Sequence, residues 1–135
     1  GVSAADARVL LRLAGGRPDD ALRLGQTGRD VASWSCVPKA LARGDATALD
    51  GLPPPQAIDL LQKLCHDLLS HHCGAPPRFF DVADLPPMGG QALVARLTAW
   101  ARTLARAART AEHPFNPGLM LEDLSTQAHR MFHLP

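Results

Sequence analysis

Apolar residues recur along this chain at steps of three and four, in blocks set apart by glycine and proline. Such spacing lines one face of an α-helix. The first block carries Val9, Leu10 and Leu13, with Ala5 and Ala14, behind Ser3 as N-cap and Asp6 in the capping-box position. A second helix is predicted over 18–24, stopping at Gly25, followed by a polar stretch over 26–29. A third carries Val31, Trp34 and Val37; Pro38 should bend or end it, since an interior proline costs about 3 kcal/mol. A short continuation through Leu41 stops at Gly44, and Asp45 caps a brief turn to Leu49.

The strongest periodicity lies over 55–72, where Ile58, Leu61, Cys65, Leu68 and His72 alternate steps of three and four. Leu60, Leu64 and Leu69 widen that face, which predicts burial on more than one side. The 74–90 connection is broken by proline yet holds Phe79, Phe80, Val82 and Leu85, so it is expected to lie against the bundle. The longest helix is predicted over 90–110, with Leu93, Leu97, Trp100, Leu104 and Ala108 facing inward. Asn116 caps a last helix opened by Pro117, with Met120, Leu121, Leu124, Ala128 and Phe132 inside. No segment alternates at period two for long enough to predict a strand, and no fixed repeat is evident. The predicted fold class is an all-α helical bundle.

Composition agrees with this. Hydrophobic residues make up 46% of 135, and tyrosine is absent, which favours helices over sheet. The net charge of +1 gives no global field toward nucleic acid or a membrane. The three cysteines, Cys36, Cys65 and Cys73, cannot all pair within the chain. That count, with no signal peptide and no membrane-length apolar run, points to a reducing cytoplasm. A start at Gly1 instead of Met leads us to expect a domain taken from a longer protein.

The stretch 15–24, GGRPDDALRL, ends one helix and starts another within four residues. Two glycines accept the left-handed backbone of a helix C-terminus, Pro18 opens the next helix, and Asp19 and Asp20 meet its positive end. This joint resembles the sensor-2 segment in the lid of AAA+ ATPases of the clamp-loader branch. The motif there reads roughly G-x-x-R-D-A-L; Gly16, Asp20, Ala21 and Leu22 fit, and Asp19 stands at the arginine position. Three further segments extend the resemblance: 63–69 (KLCHDLL), 74–80 (GAPPRFF) and 112–122 (EHPFNPGLMLE). In this order they resemble the C-terminal region of the delta-prime subunit family of the bacterial DNA polymerase III clamp loader.

The resemblance implies that 1–25 are the end of an AAA+ lid and 26–135 a helical collar domain. It implies assembly as the function, through collar contacts with the delta and tau/gamma subunits in a hetero-pentamer that supports loading of the sliding clamp in DNA replication. The sliding clamp and primed DNA would be met only through the whole complex. This fragment is expected to make no bonds itself, whereas the parent holoenzyme is a DNA-directed DNA polymerase. A carboxylate at the sensor-2 position repels phosphate, so no nucleotide is expected at Asp19. No cofactor, metal or membrane partner is expected.

Five further features carry candidate chemistry. Arg102, Arg106 and Arg109 form a stripe on the longest helix, read as a subunit-contact face or as a solvated face. Trp34 and Trp100 read as core anchors, and Trp34, on a short proline-limited helix, is the better interface candidate. Phe79, Phe80 and Phe115, beside prolines, either clamp loops or meet a partner. Cys65, His66, His71, His72 and Cys73 bring metal-capable groups close together, but without CxxC pairs and with Cys65 and His72 on the apolar stripe they read as packing and helix-end charge. The His66–Asp67 pair resembles the dyad of HD-type metal phosphohydrolases. No histidine precedes it to supply the upstream ligand, so it reads as an exposed pair on a helix. Two alternatives to the collar reading therefore stand: a helical protein-interaction module unrelated to replication and, more remotely, an HD-like metal phosphohydrolase.

Overall fold

The computed structural model describes residues 3–26, 31–45, 47–90, 92–111 and 116–133. Among these residues the chain is all-helical, with six α-helices and no strand. The helices are α1 (Ala4–Leu13), α2 (Pro18–Gly25), α3 (Val31–Ala42), α4 (Pro54–His72), α5 (Leu93–Ala108) and α6 (Pro117–His133), with a short 3-10 turn at Val82–Asp84 before α5. Outside the described residues lie part of the polar stretch after α2, and 112–115 with Phe115. None of the described helices is long and apolar enough to cross a membrane.

Local chemistry accounts for the helix ends. Ser3 Oγ accepts the Asp6 N–H at 3.1 Å and starts α1. Gly15 and Gly16 then both take positive φ, 69° and 83°, and return the Gly16 N–H to the Leu11 carbonyl. Asn116 Oδ1 accepts the Leu119 N–H at 3.0 Å at the head of α6. α4 starts one residue earlier than the sequence predicts: Pro53 is its N-cap and Pro54 its first residue, where the missing N–H costs nothing. At the other end of α3, Thr47 donates its hydroxyl and its N–H to Asp45, which holds that carboxyl below its ordinary range.

Pro38 neither ends α3 nor stops it short, because the helix runs through it to Ala42. Trp34, Val37, Ala40 and Leu41, around the proline, are all buried. Their burial, worth roughly 1.5–3 kcal/mol for each large side chain, outweighs one lost backbone hydrogen bond.

α4 packs most extensively on α5, α1 pairs with α2, and α6 lies against α3, α4 and α5. Leu10 and Leu13 of α1 share one apolar cluster with Trp34, Leu61, Leu97, Leu104 and Leu124. The predicted inner stripe of α5 is buried at Leu93, Leu97, Trp100 and Leu104, and that of α4 from Ile58 to Leu68. Two positions differ. His72 and Ala108, assigned to the inner stripes, are exposed. Each sits in the last turn of its helix.

Candidate functional site

The 77–81 segment, which begins at the second proline of the Pro76–Pro77 pair in the 74–90 connection, is held from both sides. Asp67, on the inner side of α4, is completely buried. Its Oδ1 accepts the Arg78 N–H at 2.8 Å, and its Oδ2 accepts those of Phe79 and Phe80 at 2.9 and 2.7 Å. His66 Nδ1 stands 3.2 Å from Oδ1. Three backbone donors thus share one buried carboxylate. The expectation of an exposed His–Asp pair is corrected accordingly: His66 is exposed, while Asp67 is a buried backbone anchor.

Arg12, in the last turn of α1, takes the carbonyls of the same segment. Its Nε donates to the Arg78 carbonyl at 2.9 Å, and its Nη2 to those of Pro77 and Phe80, each at 3.0 Å. Its Nη1 pairs with Asp81 at 2.6 Å. A planar guanidinium carries its donors in a fixed fork, which suits an array of carbonyls as no ammonium can.

Phe79 lies partly buried between these grips. The Lys63 ammonium and the Arg78 guanidinium lie 5.6 and 5.3 Å from its ring centroid, and His66 meets it edge-on at 5.5 Å. Lys63 is itself buried, and its charge is met by Asp59 at 2.6 Å. Gly15 closes the far side, where a Cβ would stand 3.5 Å from Phe79 Cε1. The opening joint, the 63–69 segment and the 74–80 segment therefore meet at one ring. Phe79 and Phe80 act as loop clamps, one of the two roles the sequence allows them.

The other candidate residues fall elsewhere. Asp19 is exposed in the first turn of α2, beside Asp20, which pairs with Arg17 at 2.8 Å and Arg23 at 3.6 Å. Trp34 is wholly enclosed by its own chain, and Trp100 nearly so. Arg102 and Arg106 on α5 and Arg109 at its C-cap are all exposed, with Arg106 donating to Thr103 Oγ1 at 3.2 Å. Of the metal-capable cluster, Cys65 is buried and donates to the Leu97 carbonyl at 3.3 Å, while His66, His71, His72 and Cys73 are exposed. Burial raises the Cys65 thiol from 9.0 to about 11. All three cysteines are free, and no three metal-capable side chains converge among the described residues.

Sequence reasoning missed the roles of Arg12 and Asp67. One signal was there: Asp67 follows Leu60 and Leu64 at helical spacing, so an acid stands in an apolar row. Comparisons with protein-family models, with curated proteins and with solved structures find no match to this chain.

Proposed function

We propose that this chain is the collar domain, with the end of the AAA+ lid attached, of a clamp-loader subunit of the delta-prime type, and that its work is assembly. The observation that carries the reading is the meeting of three separately recognised segments at Phe79. The lid-like joint supplies Gly15, the 63–69 segment supplies Lys63, His66 and Asp67, and the 74–80 segment supplies the ring. Segments quoted for one resemblance form one physical unit, in which the lid end is tied to the helical bundle through Arg12. Such a tie lets force applied to the lid pass to the collar, as a subunit that serves as a fixed arm requires.

In this reading Asp19 keeps phosphate away from the lid, and Arg102, Arg106 and Arg109 present an exposed positive face to the delta and tau/gamma collars. The test is capture of these subunits by the immobilised chain. Reversing the stripe (Arg102→Glu, Arg106→Glu, Arg109→Glu) is expected to weaken capture about tenfold or more while leaving helicity intact. Capture that is unaffected by the reversal removes the stripe from the interface.

A further inference from the structure

A second feature lies where α3 and α6 end, apart from the 77–81 segment. The last residues of the two helices meet there, with His133 Nε2 hydrogen-bonded to the Ala42 carbonyl. His129 precedes it by one turn of α6, and the two imidazole centroids stand 4.5 Å apart. The tip of the His129 ring lies over Gly44, where a Cβ would stand 3.0 Å from Nε2. Among the described residues His129 makes no hydrogen bond, and neither imidazole has an acidic partner. Arg130 belongs to the α5 side of α6, where it lines a cavity with Ala99 and Trp100.

Two histidines four apart on one helix face are the arrangement by which a helix holds a metal ion through two imidazoles. A metal–nitrogen bond of about 2.0–2.1 Å puts a shared ion roughly 3.2 Å from each ring centroid, so centroids 4.5 Å apart are within reach of one ion. A backbone carbonyl can only accept, so His133 Nε2 donates and the neutral ring keeps Nδ1 as its bare nitrogen. Ligating imidazoles have their other N–H held in this way, which fixes tautomer and ring orientation before the ion arrives. The site also stands at the negative ends of two helix dipoles, which favour a cation. We propose that His129 and His133 bind a divalent first-row transition ion (zinc, nickel or copper), with water in the remaining positions. Oxygen-seeking ions such as calcium and magnesium do not bind here. His71 and His72 are no equivalent, because adjacent helix residues do not face each other. The proposal stands whether or not the chain belongs to a clamp loader.

The experiment uses the full chain with nitrogen-15 in its histidine rings, and zinc chloride is the probe because zinc is diamagnetic. The expected result is a saturable movement of the His133 Nδ1 signal and of one His129 ring nitrogen below roughly 1 mM zinc, with calcium chloride without effect. His129→Gln and His133→Gln each weaken zinc binding, read by titration calorimetry, at least about tenfold, while His71→Gln with His72→Gln leaves it unchanged. Circular dichroism shows that the variants are folded, and the wild-type ring signals carry the test by themselves should a variant fail to fold. Ring signals of His129 and His133 that stay in place at roughly 1 mM zinc overturn the proposal. So does zinc binding that survives unchanged in both single variants or is lost with His71 and His72.

Discussion

Arg12 and Asp67 grip opposite sides of one short segment: the guanidinium takes the carbonyls of Pro77, Arg78 and Phe80, and the carboxylate takes the N–H groups of Arg78, Phe79 and Phe80. Neither side chain is satisfied without the segment. Between them they do for an irregular stretch what a strand partner does for a strand, which explains how a proline-broken loop packs into a helical core.

Asp67→Ala leaves three backbone N–H groups without an acceptor, the Phe80 N–H in a fully buried position. At about 1–3 kcal/mol for each lost partner, the expected loss is at least about 3 kcal/mol, read from the urea midpoint. Asp67→Asn should recover only part of this, because its amide nitrogen cannot accept.

Arg12→Lys is expected to behave like a loss and not like a conservative change, with stability lowered by about 1–2 kcal/mol. Hydrogen exchange at Phe79 and Phe80 should speed up in this variant. Combined with Asp67→Ala, the two changes should be less than additive, since either one alone frees the segment.

The cysteines should separate by reactivity. Cys36 and Cys73 are exposed and should react with a thiol reagent at pH 8, whereas native Cys65 should not. Burial raises the Cys65 pKa from 9.0 to about 11, so the unfolded chain releases this proton first. The corresponding stability is present below pH 9 and is lost as pH rises through 11. Cys65→Ser should blunt that alkaline decline, measured as the urea midpoint against pH.

Gly44→Ala tests the end of α3. Gly44 has φ of 80°, and a Cβ there would stand 3.0 Å from His129 Nε2. The expected cost is about 1–3 kcal/mol. In a His129→Ala background it should fall to that of the left-handed backbone alone.

Most helix positions were legible from the sequence because their determinants are local. Ser3, Pro18 and Asn116 mark starts that hold, and the stripe from Leu93 to Leu104 is buried as its spacing predicts. Asp67 was not legible, because its partners lie eleven to thirteen residues away in a segment with no periodicity of its own. Helical spacing tells which residues share a face, but not which loop folds over that face. At Pro38, where the sequence allows a bend or an end, the helix continues to Ala42 among side chains that only the assembled bundle buries. Of the candidate interface, the exposure of Arg102, Arg106 and Arg109 follows from their place opposite much of the apolar stripe.

The central claim, that this chain is an assembly element of a clamp loader, is tested most directly by light-scattering chromatography of the chain mixed with the delta and tau/gamma subunits of the same organism. The account predicts co-elution in a complex of defined mass and fixed stoichiometry. A folded chain that elutes as a separate monomer from every such mixture would contradict it.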